Sequence, residues 1–195
     1  LRTTRLYTRI RVYRIDDGVI LAAGASDGAA QLRAALGPDG PQWLDVGADG
    51  LPATLAGQDD HRPVALVAFG AVGDEAVVAA AAQGPITALL LVGVPLSANA
   101  IELVDEWPEL AILAVADPAD RAGLRGAVDA YLASDHAASE IIVGPLAKAW
   151  APAAAWLRAR LTAVPQSDEV VLMSEDGWEL HATRWLPTPV SAADS

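Results

Sequence analysis

Through the middle of the chain, short and nearly unbroken apolar runs alternate with longer stretches that mix small apolar and polar residues at helical spacing. Strand 64–69 leads to helix 74–83, and strand 86–93 leads through a polar connection to a short helix at 100–106. Strand 110–116 leads to helix 121–133, and strand 140–144 to helix 151–163. Apolar runs of this length, separated by helices, are what a parallel sheet covered on both faces requires. Right-handed crossovers then predict an α/β fold with a doubly wound, mostly parallel sheet. Ligands in such sheets bind beyond the carboxyl ends of the strands.

The chain leads into this pattern with a strand over 5–15 and a turn at Asp16-Asp17-Gly18. Val19–Ala23 is a buried strand that stops at Gly24-Ala25-Ser26-Asp27-Gly28. A helix from Ala29 to Leu36 follows, closed by Gly37-Pro38. Gln42–Val46 is the next strand, and a short helix is expected over Ala53–Gln58. After Pro165 the character changes. Glu169–Met173 and Trp178–Trp185 flank Ser174-Glu175-Asp176-Gly177, the pattern of a β-hairpin with Asp-Gly at its turn. The expected organisation is a main domain over 1–165, a hairpin over 166–187 that completes the sheet or leads into a further domain, and a flexible tail over 188–195.

Composition narrows the function classes. With 195 residues and 53% hydrophobic content, the chain can bury one substantial core without covalent staples. Cysteine is absent, which removes disulfides, thiol nucleophiles and Cys-based metal sites. The formal net charge of −12 argues against nucleic acid as a general partner. Arg2, Arg5, Arg9, Arg11 and Arg14 nevertheless crowd the first fourteen positions. Their alternation with apolar residues reads as a charged strand against an acidic domain, in preference to an RNA tail or transit peptide. No run is long enough to span a bilayer: Thr87 to Leu96 is apolar but ends at Pro95. The expected compartment is cytoplasmic. The chain opens on Leu1, not Met, which reads as a processed or excised piece of something longer.

The stretch Pro63 to Val77 has the outline of a nucleophile elbow, in which a sharp turn between strand and helix presents one reactive side chain. Together with Val19–Gly24, Leu110–Asp120, Ile141–Lys148 and the hairpin Ser174–Thr183, it resembles an α/β-hydrolase of the small esterase or dienelactone-hydrolase kind. Matched residue by residue, that resemblance places the elbow serine on Gly70 and the flanking glycines on Ala68 and Val72. It places the acid at Asp117 or Asp120, and the catalytic histidine near Lys148, where the chain has none between His136 and His181. The His of the oxyanion motif falls on Ala23. A serine hydrolase without nucleophile and base loses most of its rate enhancement. The resemblance therefore implies a catalytically degenerate hydrolase-like domain with no cofactor or metal. Its role would be structural or a matter of protein interaction or self-association, within a larger protein or assembly. Trp178 and Trp185 on the hairpin are candidate interface residues.

One alternative is an active esterase with a rearranged site. Gly24-Ala25-Ser26-Asp27-Gly28 is a literal Gly-x-Ser-x-Gly between strand and helix, which offers Ser26 as nucleophile, Asp117 or Asp120 as acid and His136 as base. Strand counting favours Gly70 instead, because three sheet strands follow it, as they follow the elbow in the family. Ser26 or Asp27 then caps helix 29–36. Asp117-Pro118 likewise reads as a turn, with Asp120 capping the next helix. His136 reads as a surface residue at a helix end, and Asp59-Asp60-His61 as a solvated loop instead of a metal site. A nucleotide-binding reading of Gly24–Gly28 lacks both Gly-x-Gly-x-x-Gly and a following Lys.

Overall fold

The computed structural model describes residues 6–9, 18–24, 26–58, 63–82, 86–107, 110–134, 136–162, 167–173 and 179–185, with the strands at 6–9, 167–173 and 179–185 described by their backbone. Two compact units emerge: Asp16–Thr162, and a smaller one formed by Leu1–Ile15 with Ala163–Ser195. In the smaller unit, β1 (Leu6–Arg9), β8 (Ser167–Met173) and β9 (Glu179–Trp185) form an antiparallel sheet in the order β1-β8-β9. The hairpin expected to complete the main sheet or lead onward is thus hydrogen-bonded to β1, with Leu6 opposite Leu172 and Arg9 opposite Glu169. The hairpin turn with Trp178, most of the Arg-rich arm, and the tail from 186 lie outside the described residues.

The larger unit carries a six-stranded sheet, all parallel, in the order β3-β2-β4-β5-β6-β7. Its strands are β2 (Val19–Ala23), β3 (Gln42–Val46), β4 (Val64–Phe69), β5 (Ala88–Val92), β6 (Ala111–Ala116) and β7 (Glu140–Val143). The four inner strands are buried at every position, which explains their unbroken apolar sequences. Successive side chains point to opposite faces, so each strand feeds two cores. Leu21, Leu66, Leu89 and Ile112 belong to one, together with Leu51, Leu55, Val77 and Val104 from helices. Ile20, Val67, Leu90 and Leu113 belong to the other, with Leu32, Trp150, Trp156 and Leu157.

The helices are α1 (Asp27–Leu36), α2 (Leu51–Ala56), α3 (Val72–Ala81), α4 (Ala98–Asp105), α5 (Arg121–Ala133) and α6 (Leu146–Thr162). α1 and α6 share one face of the sheet, while α2, α3 and α4 line the other. Five expected helix starts move. α1, α3 and α4 each begin two residues early, at Asp27, Val72 and Ala98, and α2 runs over Leu51–Ala56, with Pro52 in its first turn. α6 begins at Leu146 instead of 151, directly after Gly144-Pro145, and carries Pro152 in its interior. A proline sits most easily in a helix's first turn, so the sequence around Pro152 suggests a start that the chain does not make. One tie joins the shared face: the Arg158 guanidinium on α6 donates to the carbonyls of Ala35 and Leu36, at 3.0 and 2.6 Å, closing the end of α1. Among the described residues, no helix is long and apolar enough to cross a membrane.

Candidate functional site

The strand order reverses between β2 and β4, since the chain leaves β2 outward to β3 and then returns past it to β4. A parallel sheet opens a crevice at such a switch point, beyond the carboxyl ends of its strands. Here those ends are Ala23-Gly24 and Phe69-Gly70. The glycines after β2, β4 and β5 (Gly24, Gly70 and Gly93) all have left-handed backbones, with φ of 89°, 57° and 59°. At Gly24 a Cβ would lie 2.7 Å from the Phe69 carbonyl oxygen, so only glycine lets β2 and β4 end this close together. At Gly70 the situation is opposite. A Cβ there would meet nothing within 4 Å. Gly70 keeps the sharp turn of an elbow: its N–H donates to the Val92 carbonyl and its own carbonyl accepts from Gly73, starting α3. It lacks the side chain that such a turn presents.

A cleft of about 470 Å³ opens here, within the size range of small-molecule sites. Phe69, Leu146 and Trp150 give it apolar walls, and Ser26, Asp27, Gln31 and Asp120 give it polar ones. Among the described residues, no Lys, Arg or His lines it. Trp150 is 7% exposed, and its indole N–H is buried without a hydrogen-bond partner.

Ser26 and Asp120 are thus brought to one cleft, but both are already occupied. Ser26 is the N-cap of α1, its Oγ accepting from the Ala29 N–H at 3.2 Å. Asp120 is the N-cap of α5, its Oδ1 accepting from the Gly123 N–H at 3.1 Å. Asp117 holds the preceding turn: its Oδ1 accepts from Ala119 N–H, and its carbonyl accepts from Asp120 N–H. It does not line the cleft. These are the turn and caps that the local sequence suggests.

His136 lies elsewhere. It precedes β7, at the amino end of the sheet, whereas Ser26 follows the carboxyl end of β2. Strands of four to six residues separate the two ends by roughly 15 Å or more. The grouping of Ser26, Asp117 or Asp120, and His136 that the alternative esterase reading requires is not brought together: Ser26 and Asp120 share the cleft, and His136 does not reach it. The cause is the alternation of strand and helix: a residue after a helix arrives at the opposite edge from one after a strand. His136 is also not a free surface side chain. Its Nδ1 accepts from the Ala138 N–H at 3.1 Å, and its carbonyl accepts from Ser139 N–H. The Ser139 hydroxyl lies 2.6 Å from that of Ser134 and accepts from the Ile112 N–H at the start of β6. The Trp156 indole donates to the Ala138 carbonyl. With Nδ1 accepting, the proton of the neutral ring is on Nε2.

The position matched to the family's histidine fares no better. Leu146, Ala147 and Lys148 form the first turn of α6, where Leu146 and Ala147 line the cleft without an ionisable group. Among the described residues, no group of three or more His, Asp or Glu side chains could hold a metal ion. Asp59-Asp60-His61 lies outside those residues. The feature that sequence reasoning missed is Trp150, which packs on the sheet and also forms part of the cleft wall. The one available signal was its position on the first turns of a helix that starts at a strand's carboxyl end.

No family model matches the chain, and no curated protein matches its sequence. Among solved structures, the crystal structure of an esterase domain from a Rhodothermus marinus protein superposes with a TM-score of 0.62. The two are 14% identical, and the match covers 80% of this chain and 92% of that one. This chain has the α/β fold of that esterase domain, a six-stranded parallel sheet flanked by helices.

Proposed function

We propose that this is an α/β-hydrolase-like domain that has lost serine-hydrolase chemistry and serves a structural or protein-interaction role. One observation carries the reading. The elbow at the switch point is intact in backbone, while its tip is Gly70, and no described residue lining the adjoining cleft is a histidine. Acyl transfer needs a nucleophile and a base within hydrogen-bond reach of each other. Ser26, the hydroxyl that does reach the cleft, spends its oxygen on a helix cap and has no imidazole beside it.

The test is incubation with a fluorophosphonate probe alongside an authentic serine esterase. The expected result is no stoichiometric labelling of any serine, and labelling of one would end the reading. A second reading draws on the meeting of Ser26 and Asp120 in one cleft: an esterase with Ser26 as nucleophile. It requires p-nitrophenyl acetate turnover that Ser26→Ala abolishes. Turnover that persists in that variant would dismiss it.

A further inference from the structure

The cleft at the switch point sets a polar rim on an apolar floor. Phe69, Val92 and Trp150 are buried beneath it, whereas Asp27, Gln31 and Asp120 are exposed around it. Asp120 caps α5 through Oδ1. Its Oδ2 stands at the carboxyl end of β5, 3.3 Å from where a Gly93 Cβ would lie, and a Cβ on Gly123 would collide with it. Two glycines thus make room for a second carboxylate oxygen that the cap does not use.

The wall also holds a donor without an acceptor. Trp150 is 7% exposed, and its indole N–H has no partner among the described residues. A Cβ on Gly28 would lie 2.9 and 3.2 Å from Trp150 Cη2 and Cζ2, and 3.3 Å from Ser26 Oγ. Cζ2 and Nε1 are bonded to the same ring carbon, so this edge of the indole lies toward Ser26 and the first turn of α1. The N–H is shielded from water, and a ligand oxygen would reach it through a small turn of the ring.

These groups discriminate between ligands. An anion would meet Asp27 and Asp120, with no cationic side chain among the described lining residues. The N-termini of α1 and α5 offset this only in part, with about half a unit charge each against a whole one per carboxylate. An ammonium group would suit the carboxylates but has no lone pair for the indole N–H. It would also find carboxylates all over Asp16–Thr162, which carries the whole formal charge of −12 because arginine and acidic residues cancel in the smaller unit. A hydroxyl group both donates and accepts, and so answers both demands. The C–H face of a hydroxylated ring suits the apolar floor.

We propose that this cleft binds an uncharged, polyhydroxylated small molecule of monosaccharide size. Its hydroxyls donate to Asp27 and to Asp120 Oδ2, and one of its oxygens accepts from the Trp150 indole. The volume of about 470 Å³ accommodates such a ring. The open space at the Gly70 tip, where a Cβ would meet nothing within 4 Å, adjoins it. The proposal goes beyond the loss of hydrolase chemistry: binding and fluorophosphonate labelling are read separately, and either can fail without the other.

The experiment titrates the isotope-labelled full chain with methyl α-D-glucopyranoside, methyl β-D-galactopyranoside, D-xylose and myo-inositol, each up to about 100 mM, in amide and indole NMR correlation spectra. Gluconate and n-butylammonium are the charged comparators. The Trp150 indole signal is assigned by its loss in Trp150→Phe. At least one neutral compound should shift that signal and the Gly70 and Gly93 amides saturably, and bind more tightly than either comparator. Asp27→Asn and Asp120→Asn, which keep a helix-capping side chain, should each weaken binding roughly fivefold or more, with the remote Glu102→Gln unaffected. The proposal is overturned by the absence of any saturable shift at these residues across the neutral set. Gluconate or butylammonium binding as tightly, or an affinity unchanged in both aspartate variants, would overturn it equally.

Discussion

The carboxyl and amino ends of the parallel sheet are built on opposite plans. At the carboxyl end the backbone is bare: Gly24, Gly70 and Gly93 turn the chain, and Ser26, Asp117 and Asp120 serve as caps and a turn. At the amino end, side chains close the structure, and the histidine of the larger unit's described residues is tied into that closure with Ser134, Ser139 and Trp156. A Ser-His hydrolytic site needs hydroxyl and imidazole at one place, and among the described residues Ser26 and His136 lie a strand's length apart. The α/β fold shared with that esterase domain thus accommodates a Ser26 and a His136 at opposite ends of the sheet.

The largest effect that would sharpen this contrast belongs to Gly24. Gly24→Ala adds both left-handed strain and a collision with the Phe69 carbonyl, and should cost about 3 kcal/mol or more in a urea melt. A loss under ~1 kcal/mol would mean that the carboxyl edge is not held by this close approach. At the other end, Ser139→Ala strips the Ile112 N–H of its acceptor and should cost about 2 kcal/mol, with no change in any reactivity of the cleft. Gly70→Ser places a hydroxyl where there is open space, and should cost only about 1–2 kcal/mol for its left-handed backbone. It should remain unlabelled by a fluorophosphonate, since among the described residues no histidine lines the cleft. Brisk labelling would break the comparison outright, because it would reveal a base at the carboxyl end. Ser26→Ala should be the mildest, removing about 1 kcal/mol of capping and nothing else.

The fold was legible because buried parallel strands leave a plain signal. Val64–Phe69 and Val19–Ala23 are apolar at each position, as strands of a doubly covered sheet must be. The caps at Ser26 and Asp120 were equally readable, since each chemistry is local. Partnership between distant residues was not. Nothing in Ser134-Asp135-His136 announces the opposite edge from Ser26; that follows from chain direction in the assembled sheet. Nor did the pattern around Trp178–Trp185 say which strand the hairpin would join, because a two-faced strand accepts any compatible edge. Pro152 hid the first turn of α6, and with it the cleft-lining positions of Leu146, Ala147 and Trp150.

The return from β3 past β2 to β4 also bears on how the molecule is made. Most neighbouring strands close short loops, as where Ala65 meets Ala88 and Ala88 meets Ala111. β2 and β4 instead join Val19 to Val64, a loop about twice as long. Doubling a loop adds only about 0.6 kcal/mol of closure entropy, yet it is enough to order events along one seam. Pulsed hydrogen exchange during refolding should find the amides of β4, β5 and β6 protected before those of β2. The crevice at the switch point would then be the last part of the sheet to come into existence.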